Sequence, residues 1–66
     1  MGSVLTPKQV ECIKWASIGK TAIDTGDIMG VTSHSVERRL KEACERLNVN
    51  NKTALVAKAI REGVIE

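Results

Sequence analysis

Three residues, Gly30-Val31-Thr32, are all that separates two helical patterns in the middle of this chain, and no other feature limits the fold as tightly. Upstream, Gly19-Lys20-Thr21 opens a short run that carries Ile23, Ile28 and Met29. Downstream, a strongly basic stretch with helical spacing begins at Ser33. Thr21 is placed as an N-cap with Asp24 in the first turn, Gly30 as a stop and Thr32 as the next cap. A link of only Gly30 and Val31 holds the two helices at a steep angle, which is the arrangement of a helix-turn-helix.

Two further helices flank this pair. Thr6-Pro7-Lys8-Gln9 opens the first: Thr6 caps, Pro7 suits the first helical position and Gln9 completes a capping box. Val10, Ile13 and Ser17, or Cys12, Ala16 and Gly19, follow helical spacing, so this helix runs to about Ile18 and Gly19 ends it. The third helix spans Ser33 to about Leu47. Val36, Leu40, Ala43, Cys44 and Leu47 fall within roughly a 100° sector that faces the core. The opposite sector carries His34, Glu37, Arg38, Lys41 and Glu45, with Arg39 and Arg46 on a flank and Asn48 at the end. Asn50 caps a fourth helix from Asn51 to Glu62, closed by Gly63. Within it Val56 and Ile60 turn inward with Val49, Thr53 and Ile65, while Leu55 and Ala59 lie on a partly separate apolar face. The fold class is all-α, a single four-helix unit.

Composition fits that reading. At 66 residues the chain is one small domain, near the lower limit for a stable core. Hydrophobic residues are 42 % of it, yet Trp15 is its one aromatic, so the core is aliphatic. Charged residues are 27 %, a balance that argues against disorder. The net charge of +2 permits nucleic-acid binding without announcing it, so the arrangement of charge must decide. Cys12 and Cys44 stand at apolar-spaced positions and form no disulfide framework; they read as small thiols in a reducing cytoplasm. The lone His34 has no close-spaced partner for a metal, and no cofactor or small-molecule ligand is expected. No apolar run approaches the ~20 residues of a membrane span, and no signal peptide is visible. Residues 1–4 read as an N-terminal scar or linker, and 5–66 as the domain.

Several pieces in fixed order carry a family resemblance: Leu5-Thr6-Pro7, Glu11 to Ala16, Gly19-Lys20-Thr21, Ile28 to Val31, Ser35-Val36, Leu40, Leu47-Asn48-Val49, Asn51 to Ala57 and Gly63-Val64-Ile65. Together they resemble the LuxR-type helix-turn-helix domain of bacterial transcriptional regulators over nearly all of Leu5 to Ile65. Trp15 and Arg39-Leu40-Lys41-Glu42-Ala43 are similar to the acyl-homoserine-lactone-responsive, TraR-like branch. The resemblance implies the output domain of a quorum-sensing regulator, not an enzyme, with its signal-binding domain elsewhere. Its partners would be double-stranded DNA at a palindromic operator, RNA polymerase, and a second copy paired through the fourth helix. A stand-alone GerE-like regulator and a response-regulator output domain share the pattern. Four positions depart from it. Thr25 and Gly26 replace an apolar residue and an alanine and weaken the second helix, though Gly26 lets helices approach; Asn48 replaces a glycine, and Glu37 a basic or amide residue.

The outward sector of the third helix is the reading surface in such a domain. Arg38 and Lys41 reach base edges or phosphates, arginine matching guanine O6 and N7 through two donors. Glu37 either accepts from cytosine N4 or orients Arg38 or Lys41, and His34 lies near the bases. The same residues on an isolated helix would form a solvated face, with Glu37 paired to Lys41 one turn on. Ser33, Ser35, Lys20 and Thr21 sit at helix starts suited to phosphates, and Thr32 serves chiefly as a cap. Lys52 resembles the family's phosphate contact. Leu55 and Ala59, with Lys58 and Glu62 at the rim, are the pairing candidates. A competing class is a helical protein-interaction module that uses the Leu55/Ala59 stripe and never binds DNA.

Overall fold

A computed structural model describes residues 4–66, so of the stretch read as scar or linker, residues 1–3 lie outside the described residues. Four helices follow in order: α1 (Pro7–Ser17), α2 (Ala22–Met29), α3 (Ser33–Leu47) and α4 (Lys52–Arg61). Among the described residues there is no strand.

Local chemistry sets most boundaries. Thr6 Oγ1 accepts from the Gln9 amide at 3.2 Å while Gln9 Oε1 accepts from the Thr6 amide at 3.0 Å, a reciprocal capping box. Gln9 is itself buried, and its Nε2 donates to Glu42 Oε1 on α3 at 3.4 Å, so the same residue ties the start of α1 to α3. At α2 the box recurs with Thr21 and Asp24, the Asp24 amide donating to Thr21 Oγ1 at 3.1 Å. Gly30 ends α2 in the left-handed region, at φ 73°. Asn48 ends α3 in the same region, at φ 59°, with the Val49 amide reaching back to the Cys44 carbonyl at 2.9 Å.

The core is aliphatic. Ile13 and Cys12 from α1 meet Val36, Leu40, Ala43 and Leu47 from α3, and Leu5 and Ile65 close the two chain ends over them. The expected core sector of α3 is therefore buried, except that Cys44 is half-exposed.

Tertiary packing selects the buried faces of α2 and α4, and on α4 it reverses the expected one. On α2, the apolar Ile23 and Ile28 are exposed, and Thr25 and Gly26 form the buried face. Thr25 satisfies its hydroxyl within the helix, Oγ1 donating to the Thr21 carbonyl at 2.8 Å. Gly26 has no room for a side chain: a Cβ there would stand 2.6 Å from the Val31 carbonyl oxygen and 3.2 Å from the Ser33 nitrogen. The two departures that weaken α2 as an isolated helix are thus the surface on which the following turn rests. On α4, Asn51 rather than Asn50 is the cap, its Oδ1 accepting from the Ala54 amide at 2.8 Å. Leu55 and Ala59 point inward and are completely buried, while Thr53 and Ile60 are exposed and Val56 is half-buried. Both stripes have the same four-residue spacing, so periodicity cannot choose between them; contacts with α1 and α3 set the rotation of α4.

Gly26→Ala tests the close approach. Alanine gains up to about 1 kcal/mol in helix propensity, yet the clash with backbone costs more, for a net loss of about 1–2 kcal/mol. Thermal unfolding should show a midpoint lowered by several degrees; an unchanged or raised midpoint would mean the turn does not rest on Gly26.

Candidate nucleic-acid interface

The solvent side of α3 is where the predicted reading residues stand. Thr32 caps the helix, its Oγ1 accepting from the Ser35 amide at 3.0 Å, so its hydroxyl oxygen is committed to the backbone as expected. The 15-residue helix that follows presents His34, Glu37, Arg38 and Lys41, all exposed. Among the described residues none of these four has a hydrogen-bond or ion-pair partner, and the Glu37–Lys41 ion pair of a self-satisfied face does not form. Their polar atoms are available to a ligand.

A shallow groove of about 350 Å³ brings part of the set together. Glu37 and Lys41 line it from α3, Ala22 from the start of α2, and Asn50 and Lys52 from the turn into α4. Glu37 thus stands in a cleft with two lysines. Arg38, about 100° further round the helix, stands on the outer ridge and not in the groove. Lys20 and Thr21 are exposed just ahead of Ala22, and Thr21 Oγ1 is occupied by its cap bond to Asp24. Ser33 and Ser35 are half-buried at the start of α3. The floor of the groove includes Leu40 and Cys44, an apolar patch beneath a charged rim.

Both thiols are free. Burial pushes the Cys12 thiol above its ordinary range, with the charge of Arg39 partly opposing it. Burial, and then Glu45, push Cys44 up as well. Both therefore stay protonated at neutral pH. Among the described residues, no three His, Cys, Asp or Glu side chains converge. In the same part of the chain, no helix is long and apolar enough to cross a membrane.

The fourth-helix candidates separate. Leu55 and Ala59 belong to the core and present no surface to a second copy. Lys58 turns back on its own chain, Nζ donating to the Leu47 carbonyl at 2.8 Å with Glu62 Oε2 at 3.9 Å. Three side-chain roles on α3 and α4 have no signature in the sequence. Lys58 holds the end of α3, Arg46 Nη1 donates to the Val4 carbonyl at 3.3 Å, and Arg39 Nη1 is buried with no hydrogen-bond partner among the described residues. Flank position on the helical wheel is the one hint for the two arginines. A larger apolar groove of about 960 Å³, lined by Val10, Trp15 and Ile18 of α1 together with Leu5 and Ile65, contains none of the predicted site residues.

Residues 3–59 match the family described as bacterial regulatory proteins, luxR family. The chain is similar to the quorum sensing-dependent transcriptional regulator RpaR of Rhodopseudomonas palustris, at 43 % identity over 61 residues, 92 % of this chain and 25 % of that protein. It is similar to the transcriptional activator protein TraR of Rhizobium radiobacter at 39 % over 61 residues, 92 % of this chain and 26 % of that one. The quorum sensing-dependent transcriptional regulator VjbR of Brucella melitensis is 36 % identical over 66 residues, 100 % of this chain and 26 % of the relative. The chain thus spans about a quarter of the length of these curated relatives.

The cap at the foot of α3 carries a direct test. Thr32→Ala should cost about 1 kcal/mol in denaturant unfolding, and Thr32→Ser should restore most of it. Faster amide exchange at Ser35 should accompany the loss; an unchanged Ser35 rate would place the start of α3 under other control.

Proposed function

The chain belongs to the luxR family of bacterial regulatory proteins, and on that premise we propose that it binds double-stranded DNA in a sequence-specific way, with α3 in the major groove, as the output domain of a transcriptional regulator. The observation that carries this reading is the solvent face of α3. The side chains of His34, Glu37, Arg38 and Lys41 are exposed and have no partner among the described residues, and Glu37 and Lys41 share a groove with Lys52 of α4. Leaving cations and a carboxylate unpaired on one rigid helix is consistent with a ligand that pairs them.

In this mechanism the roles divide. Lys20, Lys52 and the helix starts at Thr21, Ser33 and Ser35 hold phosphates and fix the register. Arg38 on the ridge and Lys41 beside it enter the groove, Arg38 donating to guanine O6 and N7. Glu37 and His34 complete the reading face, Glu37 accepting from cytosine N4. Carboxylates repel the phosphate field, so Glu37 favours specificity over bare affinity. Similarity to quorum sensing-dependent regulators supports a regulator that answers to quorum sensing through parts of the whole protein beyond this domain. Such a regulator works in the cytoplasm, and its contact with RNA polymerase would decide the transcriptional outcome. Two-fold pairing on a palindromic operator through α4 draws on the exposed Ile60 and half-buried Val56. A protein-interaction module built on Leu55 and Ala59 is not favoured, because both residues are buried.

Selecting bound duplexes from a random pool, then measuring affinity across salt, tests the reading. Several phosphate contacts make log K fall with log salt by about 0.9 for each phosphate neutralised. Arg38→Ala should cost about 1–3 kcal/mol on the selected duplex and relax preference at one base pair, whereas Lys52→Ala should weaken every duplex alike and reduce the salt slope by about one. A pool that enriches no half-site, with binding indifferent to salt, would count against DNA binding. Equal losses on selected and random duplexes for Arg38→Ala would remove it from base reading.

A further inference from the structure

Lys58 is the side chain that the sequence assigns to the rim of a pairing surface, and its geometry gives it other work. An α-helix leaves its last carbonyls without intrahelical partners, and the negative end of its dipole gathers there. At the end of α3, the Asn48 and Val49 amides satisfy the Cys44 and Glu45 carbonyls. The Leu47 carbonyl is taken by Lys58 Nζ at 2.8 Å, a charge-assisted bond from the last turn of α4. Glu62, one turn further along α4, stands 3.9 Å from the same nitrogen and steadies it. The lysine side chain is only 28 % exposed, so water competes poorly for the bond.

The apolar contacts between the helices set which face of α4 turns inward, but they fix its position along α3 less sharply. Leu55 and Ala59 press α4 onto the core, but burial of this kind is non-directional, and alanine offers little shape to lock against. Among the described residues the one other side-chain bond between α3 and the α4 cap is a weak one, from Cys44 Sγ to the Asn51 carbonyl at 3.7 Å. Lys58 therefore supplies the strong directed tie that sets the α4 axis relative to the α3 axis. That relation matters for one reason: Lys52 opens α4 and lines the groove opposite Glu37 and Lys41 of α3. Rotating α4 about the core would move the phosphate-holding end of the site against its reading face.

We propose that Lys58, braced by Glu62, is a positioning residue that keeps Lys52 in register with the reading face of α3, so that it governs discrimination between DNA sequences without touching DNA. This proposal rests on the DNA-binding reading above. Its test uses the whole chain as wild type, Lys58→Met, which keeps the apolar stem and removes the donor, Lys58→Arg, which keeps a donor, and Glu62→Gln. Circular dichroism selects conditions in which each variant is fully folded. On the duplex selected by the wild type, Lys58→Met should bind about tenfold more weakly; on a scrambled duplex, where a displaced Lys52 still meets a phosphate, the change should be less than about twofold. Lys58→Arg should recover most of the discrimination, and Glu62→Gln should lose a smaller share of it. Equal losses on both duplexes, no loss at all, or no recovery with arginine would overturn the proposal.

A measurement without DNA keeps the two readings distinguishable. In amide spectra of the free chain, Lys58→Met should shift Glu37 to Lys41 and Lys52 as well as Leu47 and Asn48, and Lys58→Arg should reverse this. Shifts confined to the neighbours of residue 58 and to Leu47 and Asn48 would overturn the positioning role even where DNA binding stands. Propagated shifts in a chain that enriches no duplex would support the tie and sink the DNA reading instead.

Discussion

The whole arrangement hangs on a contact that involves no side chain. The backbone of Val31 to Ser33 passes so close to Gly26 that a single added carbon would stand 2.6 Å from a carbonyl oxygen. Backbone against backbone is the closest packing two segments can reach, and here it fixes how the chain leaves α2 and enters α3. Gly30 makes the same route possible from the other side, because its left-handed conformation costs a glycine little. The penalty is a weak α2, with a glycine in its interior and two isoleucines in water. What α2 loses as an isolated helix it recovers as a platform, since the reciprocal cap at Thr21 and Asp24 and the buried Thr25 hydroxyl hold it from within.

From that platform the order of forces is clear. Apolar burial against α1 sets which side of α3 faces inward, and the Thr32 cap and Asn48 stop set where it begins and ends. Neither determines the position of the helix along its neighbours. Directed bonds from charged or amide side chains do that: Gln9 to Glu42 from α1, Arg46 to the Val4 carbonyl, and Lys58 to the Leu47 carbonyl. The first two join segments distant in sequence, the third joins neighbouring helices, and each bears on α3. The outward face of α3 owes its orientation to polar ties distributed around the helix, and the side chains of His34, Glu37, Arg38 and Lys41 have no partner among the described residues.

Legibility in the sequence follows the range of the interaction. Thr6 with Gln9, Thr21 with Asp24, Thr32 and Asn48 act within four residues, so their roles can be read directly from residue type and spacing. The outward placement of His34, Glu37, Arg38 and Lys41 follows from the period of a long amphipathic helix, and the structure agrees. The rotation of α4 does not follow, because Val56/Ile60 and Leu55/Ala59 have equal claims by period and only tertiary packing separates them. The cap moved from Asn50 to Asn51 for a related reason: two asparagines in succession are equally good acceptors, and the turn geometry selects one. Lys58 and Arg46 were beyond reach, since a backbone carbonyl as partner leaves no mark on the sequence. Glu37, Lys41 and Lys52 share a groove for the same kind of reason, as a turn between two helices delivers Lys52 to it.

Charge explains why orientation carries so much weight. A net charge of +2 leaves this chain only a modest general attraction to a polyanion. On the solvent side of α3, Glu37, Glu42 and Glu45 interleave with Arg38 and Lys41, and each carboxylate lowers the affinity that phosphates alone would provide. A protein built this way gains little from binding DNA in many registers, because most registers set a carboxylate against a phosphate. In the proposed reading, the register that meets a donor at Glu37 and an acceptor pair at Arg38 is favoured by contrast with the rest. Specificity of this kind depends on rejection, and rejection depends on rigid placement. In that reading, a displacement of α3 beyond about 0.5 Å would blur the distinction between a matched base and a repelled phosphate. The close approach at Gly26 at one end of α3 and the ammonium on the Leu47 carbonyl at the other are two of the constraints that hold that error down.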